Sequence, residues 1–166
     1  MKELLVEYLI CPRCSKNFVL KTSKKIRSEI IEGELICEGR HRFPINGGIP
    51  RLVVDKSKTF VKTENSFSSK WKNYNKTYHS KKWFNSQKKW FLQRFGWKTT
   101  SNFNKFLKTR TRILDAGTGI GNSAKLFSSN PKSDVFAIDA SESVIFAYKK
   151  YGRITNIHFL QADIQK

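Results

Sequence analysis

Four residues that commonly bind metal ions occur at two short spacings in the first third of the chain. Cys11 and Cys14 form a Cys-x2-Cys pair, and Cys37 and His41 form a Cys-x3-His pair. Structural zinc is held by four thiolate or imidazole ligands in a tetrahedron, and each pair can supply two of them from one turn. The spacing predicts a Cys3His zinc site. The alternative is a Cys-x2-Cys arising by chance, with a free Cys37 and an exposed His41.

The redox state of the cysteines and the location of the protein follow from composition. Three cysteines cannot all pair as disulfides. The first twelve residues are interrupted by Glu3 and Glu7, and no stretch approaches the roughly 18 apolar residues of a membrane span. We therefore expect a soluble, cytoplasmic protein with reduced thiols and no membrane partner, and we favour a metal site over a disulfide.

A second group of residues with chemical potential lies in the string ILDAGTGIGNS, residues 113 to 123. Its glycines let the backbone approach a ligand closely, and the helix predicted after them offers free N–H groups to an anion. Asn122 stands where the dinucleotide pattern GxGxxG needs its last glycine, so the string is GxGxG. Asp139, 24 residues after Asp115, ends the next predicted strand, where a carboxylate can accept hydrogen bonds from both ribose hydroxyls. The glycines are Gly117, Gly119 and Gly121.

The elements that must position this second group alternate along the chain. Hydrophobic patterning predicts strands at 112–115, 135–139 and 157–160 and helices at 122–129 and 141–151. Ser141 is the predicted N-cap of the second of these helices, and Gly152 ends it. Alternation of strands and helices predicts βαβ units and a parallel sheet.

The metal ligands need a different framework. Residues 1–54 hold short apolar stretches separated by turn residues, which is typical of a small β-rich module that needs a metal for stability. We predict three regions: this module at 1–54, a basic aromatic helical segment at 55–108, and a partial parallel-sheet domain at 109–166. The predicted fold class is α/β.

The helical segment carries most of the positive charge. Residues 56–112 contain sixteen Lys or Arg against Glu64 alone, together with all four tryptophans. Basic residues mixed with aromatic ones suit a nucleic-acid surface, and a solvated lysine-rich face is the alternative. A stripe of aromatic side chains is predicted on one face of a helix that stops at Gly96. For this stripe, core packing is favoured over a ligand site. The stripe comprises Trp83, Phe84, Trp90, Phe91 and Phe95.

The glycine string resembles the first motif of class I S-adenosylmethionine-dependent methyltransferases over residues 112–123. The resemblance implies a Rossmann-like domain in which the loop holds the amino-acid end of S-adenosylmethionine and Asp115 orders the loop. It also implies that an acid after the third strand takes the adenine amino group, a position matched by Asp163, with Ile164 beside the ring. Phe67 and Trp71 are weaker candidates on a helix that roofs the cofactor. The implied cofactor-binding residues are Asp115, Gly117, Gly119, Gly121, Asp139, Asp163 and Ile164.

The first module has a resemblance of its own, over residues 5–54. CPRC with LICEGRHRFPINGGIPRLV resembles the N-terminal zinc ribbon of bacterial 23S rRNA guanine-N1 methyltransferases. FPINGGIPRLV is also similar to the end of small zinc-ribbon proteins that activate methyltransferases. The resemblance implies zinc on Cys11, Cys14, Cys37 and His41, and it favours tRNA or rRNA as the partner.

The expected function is therefore S-adenosylmethionine-dependent methyl transfer, with RNA favoured as substrate. A methyltransferase acting on a small metabolite and a non-catalytic, zinc-stabilised binding or activator module are the alternatives. No residue is assigned as catalytic base, because catalytic residues in the resembled family mostly follow the fourth strand. We expect a fragment, or a chain completed by a partner protein, whose third strand is an uncovered edge and which binds the cofactor weakly by itself.

Overall fold

The chain has a mixed α/β fold in which an antiparallel sheet precedes a parallel one. The computed structural model describes residues 1–54 and 80–165 and, between them, residues 62, 65, 66 and 69 alone. This architecture agrees with the predicted small β-rich unit followed by part of a Rossmann-like sheet. In the described part of the chain, no helix combines the length and apolarity that crossing a membrane requires.

The N-terminal sheet contains four antiparallel strands in sequence order, preceded by a 3-10 helix at Glu3–Tyr8. Alternation of buried and exposed side chains along β3 places Phe43 and Ile45 in the core, as a sheet with one solvated face requires. The first two strands form a long hairpin whose register contains bulges between Thr22 and Lys25. The strands are β1 Phe18–Ile26, β2 Glu29–Cys37, β3 Arg42–Asn46 and β4 Ile49–Pro50.

The parallel sheet contains three strands in the order β5-β6-β7, connected by two helices. Because all three strands run in the same direction, their carboxyl ends meet at one edge of the sheet. The strands are β5 Arg112–Ala116, β6 Asp134–Asp139 and β7 Ile157–Gln161. Within residues 80–165, two further helices precede the sheet, and the helices of this range are α1 Lys81–Arg94, α2 Thr100–Lys108, α3 Asn122–Phe127 and α4 Ser143–Tyr151.

Helices α1 and α2 begin at hydroxyl N-caps. Ser80 Oγ accepts a hydrogen bond from the N–H of Trp83, and Thr99 Oγ1 accepts one from the N–H of Asn102. Helix α1 ends at Arg94, and Gly96 follows with φ +73°, as the sequence predicts.

The aromatic stripe of α1 is divided between core and surface. Phe91 packs against the buried Phe103 of α2 and against Phe127 of α3. Trp90 and Phe95, however, are 61% and 60% exposed. Core packing therefore accounts for only part of the stripe.

The expectation that the third strand would be an uncovered edge is wrong. Four of the five residues of β7 are buried: Leu160 packs with the N-terminal sheet, while Ile157 and Phe159 pack with helix α4 and with Ile49 of β4. Arg51 forms a parallel bridge with Gln161, and the N–H of Leu52 donates to the Gln161 carbonyl over 2.7 Å. The exposed strand is β5, at the other edge of the sheet, where the Leu114 side chain is 62% exposed.

The interface between the two sheets is apolar with a polar rim. Leu160 of β7 lies in one core cluster with Leu35 and Ile45 of the N-terminal sheet. At the rim, the Lys2 ammonium donates to the carbonyls of Ile154, Thr155 and Ile157, which precede or begin β7. The two sheets thus share one core, so the N-terminal part does not stand apart from the parallel sheet.

The start of helix α4 also differs from the prediction. The helix begins at Ser143, with Glu142 at the N-cap position and no capping side chain there. Ser141 Oγ donates to Asp139 Oδ1 over 2.6 Å instead, and it accepts from the N–H of Ser143 at 3.3 Å. The hydroxyl thus donates to the carboxylate and still accepts from the first residue of the helix, since a hydroxyl offers one donor and two lone pairs. Gly152 follows the helix as predicted.

Candidate metal centre and cofactor site

Two tight turns bring the four predicted metal ligands together. In the first turn, the N–H of Cys11 donates to the Lys16 carbonyl over 2.9 Å, and the N–H of Ser15 donates to the Cys11 carbonyl over 2.8 Å. In the second, which joins β2 to β3, the N–H of Arg40 donates to the Cys37 carbonyl over 2.8 Å. Antiparallel pairing of β1 with β2 places Cys37 opposite Phe18, and so brings the second turn next to the first.

The distances within the cluster fit a tetrahedral zinc site. All four ligand atoms lie within 4.8 Å of one another. His41 Nδ1 lies 3.5 Å from both Cys11 Sγ and Cys37 Sγ, and Cys14 Sγ lies 3.6 Å from Cys37 Sγ. Bonds of about 2.3 Å to sulfur and 2.0–2.1 Å to nitrogen separate neighbouring ligand atoms by about 3.6–3.8 Å in a tetrahedron. The cluster therefore has the composition and spacing of a Cys3His zinc centre.

Backbone N–H groups point at the sulfur atoms and favour thiolates. The N–H of His41 donates to Cys37 Sγ at 3.3 Å, and the N–H of Arg13 donates to Cys11 Sγ at 3.4 Å. Burial by itself raises the pKa of the Cys37 thiol, but the His41 N–H, the neighbouring thiols and the imidazole outweigh it, and the pKa falls to about 7. Burial raises the pKa of Cys11. A metal ion would supply the missing stabilisation of that second thiolate.

Gly39 is a component of this centre that the spacing of the ligands did not reveal. A Cβ atom at this position would lie 2.9 Å from Cys14 Sγ and 3.5 Å from both Cys37 Sγ and His41 Nδ1. Any side chain here would therefore enter the space between the ligands. The sequence signal was the glycine within the Cys-x3-His turn.

The glycine loop follows β5 directly and is held against β6. The N–H groups of Gly117 and Thr118 donate to the Ile138 carbonyl over 2.8 and 2.9 Å. The three alternating glycines, Gly117, Gly119 and Gly121, all have positive φ, between +56° and +83°. Helix α3 after the loop is only six residues long, which is shorter than predicted. The loop therefore offers a ligand its backbone shape rather than the dipole of a long helix.

Asp115 is hydrogen-bonded to the loop at the end of β5. Its carboxylate is buried and accepts a hydrogen bond of 2.6 Å from the Thr118 hydroxyl. Burial raises the pKa of Asp115, and the neighbouring Asp139 carboxylate raises it further, while hydrogen bonds from Thr118 and Ser123 act against both. The structure thus brings Asp115 and Asp139 together with the loop.

Asp139 is held in one orientation by three donors. Its Oδ2 accepts from the N–H of Gly119 over 2.7 Å, and its Oδ1 accepts from the N–H and the hydroxyl of Ser141 over 2.9 and 2.6 Å. Each carboxylate oxygen has two lone pairs, so one acceptor position remains on Oδ2 for a ligand hydroxyl. The carboxylate therefore stands at the carboxyl end of β6 with its direction already fixed.

A cavity of about 370 Å³ opens beside the glycine loop. Its floor includes Asp115, Gly117 and Ser123 from the loop region, and its opposite wall comes from helix α1. The volume lies in the range of small-molecule sites, and the combination of apolar walls with a few polar groups is typical of them. The aromatic side chains of the wall are Phe84, Trp90, Phe91, Phe95 and Phe127.

Asp163 and Ile164 lie apart from the groups just described. Both follow β7. Of the predicted cofactor-binding residues only Asp115 and Gly117 line this cavity, and Gly119, Gly121, Asp139, Asp163 and Ile164 do not. Ile164 is exposed, and Asp163 accepts from the N–H of Gln165 over 2.9 Å. Their adenine-binding role stays a prediction. Phe67 and Trp71 lie outside the described residues. His158 is buried in β7 with its Nε2 2.8 Å from Asp134, away from the metal cluster, in keeping with a packed residue.

A chain of side-chain hydrogen bonds that sequence patterning missed ties helix α1 to the loop. The Asn122 amide donates to Gln87 Oε1 over 2.7 Å, and the Tyr151 hydroxyl donates to Asn122 Oδ1 over 2.8 Å. Asn122 occupies the position where a dinucleotide motif has its last glycine, and its amide is used to join three helices. No periodic pattern in the sequence predicts such contacts, because they join residues far apart in sequence.

Comparisons with known proteins give little beyond the geometry. No family model matches the chain, and no curated protein matches it. Among solved structures, a SAM-dependent methyltransferase from Aquifex aeolicus is similar with 27% sequence identity and a TM-score of 0.35. The likeness covers 40% of this chain and 39% of that chain.

Proposed function

We propose that this chain contains the cofactor-binding part of an S-adenosylmethionine-dependent methyltransferase. The observation that carries the proposal is the convergence of the glycine loop, Asp115 and Asp139 at the carboxyl ends of two parallel strands. A ribose-bearing cofactor fits this arrangement, because Asp139 presents an acceptor and Gly117 lines a cavity with no side chain in the way. When bound, S-adenosylmethionine would supply an electrophilic methyl group.

The residues present would act by binding and orientation. Asp115 and Thr118 keep the loop in shape, and Asp139 would accept hydrogen bonds from the ribose. Asp163 and Ile164 are proposed for the adenine ring. The aromatic side chains of α1 would shield one side of a ligand bound in the cavity from water. In this proposal residues 1–54 are the zinc module, 55–108 the basic aromatic segment and 109–166 the cofactor-binding half-domain.

The cofactor proposal is tested by calorimetric titration of the chain with S-adenosylhomocysteine. Asp139→Asn removes the charge that the ribose hydroxyls would meet, and we expect about tenfold weaker binding. Asp134→Asn is the matched control, since Asp134 lies at the other end of the same strand and bonds His158. Equal losses in both variants, or no saturable binding by the unaltered chain up to millimolar ligand, would overturn the proposal.

RNA is the methyl acceptor that we propose, on the strength of helix α1. Trp90 and Phe95 are exposed at the rim of the cavity, and Lys88 lines it while Lys89 is exposed beside it. Exposed rings can stack on unpaired bases, and lysines attract phosphates. A small aromatic metabolite as acceptor is the second candidate, because the cavity walls would suit one equally well.

The two acceptors are separated by the salt dependence of RNA binding. Replacing Lys88 and Lys89 by Ala should weaken binding of a tRNA or rRNA hairpin and reduce the slope of log K against log salt by about 1–2. Replacing Lys149 and Lys150 in α4 is the control, because it removes the same charge from another face. If both double variants gave the same slope of log K against log salt, the RNA proposal would be overturned in favour of the metabolite.

A further inference from the structure

We infer that Arg51, at the end of the N-terminal sheet, is a positioning residue for the Asp139 carboxylate of the cofactor site. The inference rests on the proposed function in so far as Asp139 is a cofactor ligand. It starts from a contact between the two sheets: Arg51 Nη1 donates to Gln161 Oε1 over 2.6 Å, in the residue pair where the chain bridges β7.

This contact decides how the Gln161 side chain is oriented. A guanidinium has donors only, so it holds the amide oxygen of Gln161 and turns the amide nitrogen the other way. The Gln161 Nε2 then donates to the Ala140 carbonyl over 2.9 Å. Without Arg51, the side-chain amide loses one of the contacts that hold its orientation.

The Ala140 carbonyl belongs to the same peptide unit as the N–H of Ser141. The peptide unit is planar, so fixing its carbonyl also fixes the direction of its N–H. That N–H donates to Asp139 Oδ1 over 2.9 Å, and the Ser141 hydroxyl donates to the same oxygen. A relay from Arg51 through Gln161 and one peptide plane thus fixes one of the three donors that orient the carboxylate.

The main chain supports the relay at the same place. The N–H of Leu52 donates to the Gln161 carbonyl over 2.7 Å, and the N–H of Ala162 donates to the Asp139 carbonyl over 3.1 Å. The N-terminal sheet therefore covers the outer strand and, through it, reaches the carboxyl end of β6, which carries the candidate ribose ligand. Its contribution to the cofactor site is specific to Arg51 and differs from general packing.

Amide hydrogen exchange on the whole chain tests the inference without any ligand. In Arg51→Met we expect exchange at the Ser141 amide to rise about fivefold, while amides in β1 and β2 keep their rates. Arg42→Met, which removes an exposed arginine paired with Glu34 in the same sheet, should leave Ser141 unchanged. Arg51→Lys, which keeps a donor, should restore part of the protection.

A second variant breaks the relay one step later. Gln161→Glu keeps an acceptor for Arg51 but loses the donor to Ala140, so it should speed exchange at Ser141 as Arg51→Met does. Unchanged protection in Gln161→Glu, or equal acceleration across both sheets in Arg51→Met, would overturn the inference. A parallel titration with S-adenosylhomocysteine should show about three- to tenfold weaker binding in both variants. If the unaltered chain binds none, the proposed function fails while the exchange rates still decide the role of Arg51.

Discussion

The candidate metal cluster and the candidate cofactor site are built in opposite ways. The cluster takes its four ligands from two turns of one antiparallel sheet. Three of the distances between its ligand atoms are 3.5 to 3.6 Å. The candidate cofactor site collects groups from the ends of β5 and β6, and an open cavity lies beside it, between the glycine loop and helix α1. A closed cluster is determined by its own residues, whereas an open site depends on the neighbours that hold each group in place.

The strongest way to test this difference is to remove the metal. We expect purified protein to contain about one equivalent of zinc, and chelation or Cys37→Ser to unfold the N-terminal sheet, because metal binding is coupled to folding in small sites. Loss of protection in β1 to β4, measured by hydrogen exchange, should exceed that in β5 and β6, and added zinc should reverse the effect of chelation. Less than about half an equivalent of zinc would contradict the Cys3His centre.

The glycine loop should not tolerate added side chains, although it is open to a ligand. A Cβ at Gly121 would lie 2.9 Å from the Ala147 Cβ, and its φ is +83°. Gly121→Ala should destabilise the chain by about 2 kcal/mol in denaturant unfolding. Gly96→Ala shares the positive φ but meets no atom within 4 Å, so a cost of about 1 kcal/mol is expected there. Equal costs at both positions would show that helix α4 does not press on the loop.

The smallest effect is expected at Asp115, where binding and stability oppose each other. Burial raises the pKa of Asp115 in the folded chain. Its contribution to folding stability is therefore fully present below the ordinary pKa of an aspartate, and it is lost as pH rises through the raised pKa. At neutral pH the buried carboxylate therefore costs stability. Asp115→Asn should be slightly more stable than the unaltered chain at pH 7, with the difference vanishing near pH 3, while S-adenosylhomocysteine binding weakens.

Unfolding curves at several pH values measure this difference. Asp163→Asn, in the turn after β7, is the control and should change stability little at any pH. A less stable Asp115→Asn variant at pH 7 would show that the hydrogen bond from Thr118 outweighs the cost of burial.

Prediction from sequence was best where spacing and chemistry constrain each other. The Cys-x2-Cys and Cys-x3-His pairs come together in the structure, and the alternating strands and helices form the parallel sheet. Prediction was poorer for contacts between distant segments. The cover on β7, the use of Ser141 by Asp139, and the amide of Asn122 between Gln87 and Tyr151 all depend on residues that no local pattern connects.

The sequence by itself determined the ligand set of the metal cluster, the shape of the glycine loop and the class of sheet, because each depends on residue types at short range. Only the tertiary structure decided which edge of the sheet is covered and what fixes Asp139. Strand order and interface contacts bring together residues as far apart as Arg51 and Gln161. Packing of the N-terminal sheet against β7 thereby places Cys11 and Cys37 in the same core cluster as Leu160 of the parallel sheet.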